Sequence, residues 1–379
     1  MKEKKTFSQR LYGFLWHLLR RPFEWIFAFT HDDDRQDEPT LIISNHVTNF
    51  DPILVAFSFP GRRFHFVASE HLFRMGFVTK LLTCLFEPVA RRKGVSGGDT
   101  AMACVRKLRA GKTVCLFAEG ETTWDGKTAE IFSATGRLAQ MGKCRLITYR
   151  LEGAYFTAPR WGKGIRRGKM HGRIVGTYSA EEVRAMGKEE IAAVIQRDIF
   201  EDADLRQREA PVAYGKRRLA ENLETVLFQC PVCGAYESLS SRGNFLRCSC
   251  GKQWEFTAVG RFQPAEPFET VAQWDAWQRK QLAGETPDFR AENMILSRLG
   301  DDHSQEILGA GTLELREHIL RWGSDHFPME DISSMALITT KRLLFTVGSE
   351  YYELKAKKPC CLRKFYLCWQ KVGEKELTM

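Results

Sequence analysis

The chain alternates short, wholly apolar runs with longer stretches in which apolar residues recur every three or four positions. Leu41 to Ile43 is apolar throughout, the pattern of a strand buried on both faces. Further strands are predicted near Arg63 to Ser69, Lys112 to Ala118, Arg145 to Arg150 and Arg173 to Tyr178. Helical periodicity fits Glu70 to Leu85, Thr100 to Ala110 and the stretch after Ser179, where Ser179 and Glu182 have capping-box spacing. Strands alternating with helices predict an α/β domain whose mixed sheet is flanked by helices.

Ahead of this domain, Phe7 to Thr30 is crowded with Phe, Leu, Trp and Ile, while Arg10, His17, Arg21 and Glu24 form one narrow polar stripe. No stretch approaches the ~20 apolar residues that a spanning helix needs. The segment is expected to lie in a membrane interface, with Trp16 and Trp25 at headgroup level and a break into two helices at Pro22. The other reading is that it covers the apolar surface of the domain that follows, and one face is available for each. Lys2, Lys4 and Lys5 before Leu11 to Leu19 imitate an export signal, but His17, the Arg20-Arg21 pair and the lack of a small-residue cleavage site argue against export. The acidic stretch His31 to Glu38 reads as a solvated loop. Arg160, Lys163, Arg166, Arg167 and Lys169 read as a basic loop, either solvated or facing anionic lipid or an acidic carrier protein.

Glu201 to Arg218 is charged and poor in apolar residues, as a linker would be. Beyond it, Cys230-Pro-Val-Cys233-Gly and Cys248-Ser-Cys250-Gly place four thiols on two glycine-ended knuckles with fourteen residues between the pairs. This resembles a zinc ribbon, and four thiolates leave no open coordination position, so the zinc is expected to be structural. The Cys-x-Cys second knuckle departs from the commoner Cys-x-x-Cys, which predicts slight strain at the metal. Disulfides are disfavoured in a chain without an export signal, and a reducing cytoplasm suits all eleven cysteines. Trp274 and Trp277 then sit in a helix within Pro267 to Gly284, and from about Gly309 the pattern turns to strands. Leu362, Phe365, Tyr366, Trp369 and Val372 share one face of a terminal helix. A small β-barrel capped by that helix is similar to a pleckstrin-homology-like module.

Length sets the outer bound: 379 residues suggest two or three domains, and a net charge of +9 points to an anionic partner. A nucleic-acid binder using the ribbon is the weaker rival and nucleic acid is not the expected partner, since between Cys233 and Cys248 only Arg242 and Arg247, with Tyr236 and Phe245, offer a basic and aromatic surface.

The chemistry is carried by the octapeptide Ser44-Asn45-His46-Val47-Thr48-Asn49-Phe50-Asp51, directly after the apolar strand. A neutral imidazole at His46 can deprotonate a hydroxyl, and a carboxylate at Asp51 can accept from the other ring nitrogen and stabilise the imidazolium. A spacing of five does not share one regular helix face, so the pair meets only if Val47 to Phe50 turn. Asp51 before Pro52 also has the look of a helix cap.

Three further segments, in order, give residues 40 to 178 a resemblance to the glycerolipid acyltransferase family that includes 1-acylglycerol-3-phosphate acyltransferases. Asn45-His46 through Asp51 looks like the family's catalytic block. Glu87-Pro88-Val89-Ala90-Arg91 looks like the second, whose arginine contacts the acceptor phosphate, with Arg92 and Lys93 adding positive charge. Phe117-Ala118-Glu119-Gly120 resembles the third, which helps to form the glycerol-phosphate pocket, and Ile147 to Gly153 the fourth. The chain departs from the family where Thr-Arg-Ser usually continues the third block: Glu121-Thr122-Thr123 stands there, a carboxylate in place of a phosphate-binding cation.

The resemblance implies an acyltransferase that moves a fatty acyl group from CoA or acyl carrier protein to the glycerol hydroxyl of a lysophospholipid, 1-acylglycerol 3-phosphate; with the amino-terminal segment and the cysteine usage, the expected location is peripheral on the cytoplasmic face of a membrane. It implies no organic cofactor. His46 and Asp51 are the expected catalytic residues, Arg91, Glu119 and Gly120 the substrate-binding ones, and Cys230, Cys233, Cys248 and Cys250 the metal ligands. The expected domains are interfacial helices over 1 to 30, the acyltransferase over 31 to 215, the ribbon over 225 to 260 and a β-rich domain over 261 to 379. The altered third block motivates the alternative of an inactive lipid-surface scaffold or lysolipid-binding protein that uses the ribbon for partners.

Overall fold

The computed structural model of the protein describes residues 6–69, 72–73, 76–91, 98–284, 287–300 and 304–377. Lys2, Lys4, Lys5, Glu70, Arg92 and Lys93, to which expectations were attached, lie outside them. The described residues fall into two compact units, one of residues up to Gly215 and one from Lys216 onward, with Trp161–Lys163 grouping with the second.

In the first unit the strands are β1 (Phe29–His31), β2 (Thr40–Ser44), β3 (Phe64–Ser69), β4 (Val89–Arg91), β5 (Thr113–Phe117), β6 (Arg145–Glu152) and β7 (Met170–Tyr178). They form one sheet in the order β1-β7-β6-β2-β5-β3-β4. β2 to β6 are mutually parallel and β7 runs antiparallel to β6, so the sheet is mixed, as the alternation of elements predicts. β2 lies at its centre, and Leu41, Ile42 and Ile43 are wholly buried because both faces of that strand are covered. Leu41 and Ile43 join Val114, Leu146, Ile191 and Ile195 in one apolar core.

The helices of this unit are α1 (Phe7–Phe27), α2 (Asp51–Phe57), α3 (Phe77–Phe86), α4 (Gly98–Arg109), α5 (Ala134–Gly142), α6 (Ala154–Thr157), α7 (Ala180–Ala185), α8 (Lys188–Ile199) and α9 (Ala203–Glu209). The capping box at the start of α7 forms as its spacing indicates: Glu182 N donates to Ser179 Oγ at 3.2 Å, and Ser179 N to the Glu182 carboxylate at 2.7 Å.

Four local expectations are corrected. Pro22 does not divide the first segment, because α1 runs through it. An internal proline costs about 3 kcal/mol or more. Packing offsets that cost: Phe23 and Trp16 both meet the Phe57 ring, and Trp16 Nε1 donates to Ala56 O at 2.9 Å. The third helix begins only at Phe77. The acidic stretch is not merely solvated, since Asp34 is buried and accepts from Arg145 at 2.6 Å and Arg62 at 3.3 Å. Nor is the charged stretch after residue 200 a linker up to Gly215. Asp202 caps α9, Arg206 donates to the buried Glu201 carboxylate at 2.8 Å, and Tyr214 donates to Lys169 O at 2.8 Å.

The second unit opens with a four-stranded antiparallel sheet, β8 (Leu239–Arg242), β9 (Phe245–Cys248), β10 (Gln253–Phe256) and β11 (Phe262–Gln263). Helix α10 (Val271–Gly284) inserts Trp274 against Trp254 and Phe262, and the indole donates to Gln229 O at 2.9 Å. A seven-stranded antiparallel sheet follows: β12 (Phe289–Leu299), β13 (Gln305–Arg316), β14 (Ile319–Trp322), β15 (Asp325–Pro328), β16 (Ile332–Thr339), β17 (Arg342–Val347) and β18 (Glu350–Ala356). Its order is β15-β14-β13-β12-β18-β17-β16, two meanders joined where the first strand pairs with the last. Helix α11 (Arg363–Leu377) buries Phe365 and Cys368, and Trp369 Nε1 donates to Ile332 O at 2.8 Å. The strands of this second sheet thus begin at Phe289, well before Gly309. The pairing register slips between Ala291 and Met294, with Asn293 at φ 56°, and such a bulge breaks the period-two pattern that would have revealed β12.

Candidate active site and metal centre

Because β2, β3, β4, β5 and β6 are parallel, their carboxyl ends open on the same edge of the sheet, where α/β proteins commonly place their sites. His46 follows β2, Arg91 ends β4, and Glu119 follows β5. Residues far apart in the chain are therefore gathered along one rim.

Val47 to Phe50 do turn, and His46 Nδ1 lies 2.9 Å from Asp51 Oδ2. Asp51 is wholly buried at the first turn of α2, and its carboxylate also accepts from Val47 N at 2.6 Å, Thr48 N at 2.9 Å and Thr48 Oγ1 at 2.6 Å. The cap reading of Asp51 gives way, since the N-cap is Phe50 and the Asp51 side chain reaches back to the turn. With Nδ1 donating to Asp51, the ring's lone pair sits on Nε2. Phe117 stacks on the imidazole with centroids 4.4 Å apart, which restricts its rotation.

The backbone that carries His46 is held from two further sides. Asn45, buried, exchanges hydrogen bonds with Leu151 of β6 at 2.8 and 3.1 Å. Glu119 accepts from His46 N at 2.6 Å and from Ala129 N at 2.7 Å, so both its oxygens are engaged with backbone. Burial pushes the Glu119 carboxyl up to about 8 against the pull of those two N–H donors. Beneath His46 is a cavity of about 10 Å³ lined by Asn45, Glu119, Thr123 and Glu201. It has room for one water at most.

Gly120 stands at φ 78°, a region that favours glycine, and a Cβ there would lie 2.5 Å from the Phe132 ring. The Arg91 guanidinium lies 4.3 Å from the centroid of the same ring. Burial lowers its basicity from the ordinary value, yet an arginine stays charged. Glu121 does not stand as a bare carboxylate: Arg160 Nη1 donates to it at 2.8 Å and to Thr122 O at 3.0 Å, while stacking 3.9 Å from the Trp124 ring. The expected basic loop is therefore corrected in part, because the Arg160 side chain and Arg166 are buried; Arg167 and Lys169 are exposed. Thr48, Phe132 and Arg160 had no local sequence signal, since their partners are set by the turn and by sheet order.

In the second unit the ligand atoms of Cys230, Cys233, Cys248 and Cys250 lie within 4.8 Å of one another. A tetrahedron of zinc–sulfur bonds of about 2.3 Å has edges of about 3.8 Å. The separation of Cys233 and Cys248 Sγ, 3.7 Å, matches such an edge. Gly234 and Gly251 take φ of 71° and 91°, closing the knuckles, and Cys250 N points to Cys248 Sγ at 3.4 Å. The cluster could hold a metal, and the all-thiolate donor set suits zinc.

Residues 27–152 match the family model described as Acyltransferase. Among solved structures, the chain is similar to the 1-acyl-sn-glycerophosphate (LPA) acyltransferase, PlsC, from Thermotoga maritima, at 18% identity, covering 55% of this chain and 84% of that one with a TM-score of 0.46. No curated protein matches the chain. The span matched by that family model, residues 27–152, contains His46, Asp51, Arg91 and Glu119.

Proposed function

We propose that the protein transfers a fatty acyl group from an acyl thioester, of CoA or acyl carrier protein, to the glycerol hydroxyl of a lysophospholipid, 1-acylglycerol 3-phosphate. The observation that carries the reading is the His46–Asp51 contact at 2.9 Å, which leaves Nε2 as the base. Nε2 takes the hydroxyl proton as the oxygen bonds to the thioester carbonyl carbon. The carbon–sulfur bond then breaks, and the departing thiolate takes that proton from the imidazolium. Arg91 binds the acceptor phosphate, Gly120 lets the acceptor pocket close on Phe132, and Glu119 fixes the peptide that carries the base.

The membrane reading is supported by α1. Tyr12, Trp16 and Phe27 are buried, whereas Phe7, Phe14, Leu18 and Trp25 are exposed. At 100° per residue those four fall within about 20° of one line along the helix. Arg167 lies beside them, donating to Trp25 O at 2.9 Å. An apolar stripe edged by Arg21 and Arg167 suits an anionic bilayer surface on the cytoplasmic side. No helix among the described residues is long and apolar enough to cross a membrane. The cysteine cluster is read as a structural zinc site, and the terminal sheet with α11 as a pleckstrin-homology-like module.

The alternative of an inactive scaffold rested on Glu121, and the Arg160 contact weakens that ground. The deciding experiment is a panel assay of labelled acyl-CoA and acyl-carrier thioesters against several lysophospholipids. Transfer to 1-acylglycerol 3-phosphate that disappears in His46→Ala is expected. Vesicle and lysolipid binding without transfer from any donor would favour the scaffold.

A further inference from the structure

We infer that Phe132 is the positioning residue that presents the Arg91 guanidinium to the acceptor's phosphate; this rests on the acyl-transfer reading and deepens it. Phe132 is 42% exposed, unusual for a side chain with this much apolar surface to bury. Its backbone is pinned all the same: its N–H donates to Ala118 O at 3.0 Å, and its carbonyl accepts from Thr135 N at 2.9 Å. The ring rests against Gly120, where an added Cβ would lie 2.5 Å from two of its carbons.

Arg91 is the second half of the observation. Burial lowers its basicity, and among the described residues no carboxylate pairs with it. A partly buried guanidinium without a counter-ion is costly unless something replaces part of its hydration. The Phe132 ring does so from 4.3 Å, through its negative face. That contact uses the face of the guanidinium and leaves the N–H donors at its planar edge, where a phosphate is gripped. A carboxylate partner would have occupied those same donors. Phe132 thus links Gly120, after β5, to Arg91, at the end of β4, and gives a reason for the glycine that its own φ does not.

The test is steady-state kinetics with 1-oleoylglycerol 3-phosphate as acceptor on the full chain. Phe132→Leu, which keeps apolar bulk on Gly120, is expected to raise the acceptor KM about five- to thirtyfold, the equivalent of one desolvated cation–π contact. The donor KM should stay within about twofold, Phe132→Tyr should hold the wild-type acceptor KM, and Phe132→Leu should add little in an Arg91→Ala background. Fluorinated phenylalanines at position 132 keep the shape while draining charge from the ring, so acceptor KM should rise with each fluorine even if Phe132→Leu folds poorly. An acceptor KM indifferent to fluorination, or an undiminished effect of Phe132→Leu in Arg91→Ala, would overturn the inference in an active enzyme. A wild type without transfer to any lysophospholipid would instead remove the reading beneath it, and the inference with it.

Discussion

Arg160 meets Glu121 at 2.8 Å and lies flat over Trp124, so the carboxylate that replaces an expected cation is matched by a guanidinium thirty-nine residues away. Removing one partner of such a pair costs more than removing both, because the survivor is left partly desolvated. Arg160→Met should therefore lower thermal stability and raise the acceptor KM by removing the guanidinium that faces the Glu121 carboxylate. Adding Glu121→Gln should recover part of both losses, with a coupling of about 1–3 kcal/mol. Additive effects in that cycle would show that the two side chains do not depend on each other.

The His46–Asp51 pair predicts a graded loss of turnover. His46→Ala should lower kcat by roughly two to four orders of magnitude with little change in melting temperature. Asp51→Asn should be comparably severe. It should also cost stability, since an amide cannot accept from the four donors now directed at that carboxylate. Near-normal kcat in His46→Ala would remove the histidine from the reaction.

Glu119 predicts a pH dependence. Its folded pKa, about 8, lies above the ordinary 4.5, so the folded state binds the proton more tightly than the unfolded one. Its contribution to stability is fully present below about pH 4.5 and is lost as pH rises through about 8. Glu119→Gln cannot titrate and should gain on the wild type over that window, by roughly several degrees in melting temperature. A difference between the two proteins that stays constant from pH 5 to pH 9 would contradict this.

The cysteine cluster predicts one zinc per chain by native mass spectrometry. Cys230→Ser with Cys233→Ser should release it and expose the second unit to protease, because thiolate–zinc binding of order 10 kcal/mol holds a segment too small to fold on its own core. Trp274 bonds to Gln229, next to Cys230, so its fluorescence should shift when the metal leaves. Less than half an equivalent of zinc, or a disulfide within the cluster, would refute the assignment.

The exposed stripe on α1 predicts that Phe14→Ser, Leu18→Ser and Trp25→Ser together move the protein from anionic vesicles to the soluble fraction while it still folds, since none of the three is buried. Wild-type binding should weaken with salt as Arg21 and Arg167 are screened. Unchanged sedimentation with vesicles would place the anchor elsewhere.

Element types and candidate chemistry were legible in the sequence wherever the signal is local. An apolar triplet makes β2, Ser179 and Glu182 make a cap within one turn, and glycine-ended cysteine pairs make knuckles, because each depends on residues a few positions apart. The His46–Asp51 contact was legible only conditionally, since a spacing of five requires a turn that the carboxylate itself helps to hold. What tertiary structure decided was everything that depends on strand order. Glu119 reaches the His46 peptide across seventy-three residues because β5 pairs with β2, and Asn45 reaches Leu151 because β6 pairs with β2 on the other side. The same holds for Asp34, which reads as a solvated acid in an acidic loop and is instead buried between Arg62 and Arg145. Charge in a sequence says what a side chain can pair with; only the folded sheet brings the partner within hydrogen-bonding distance.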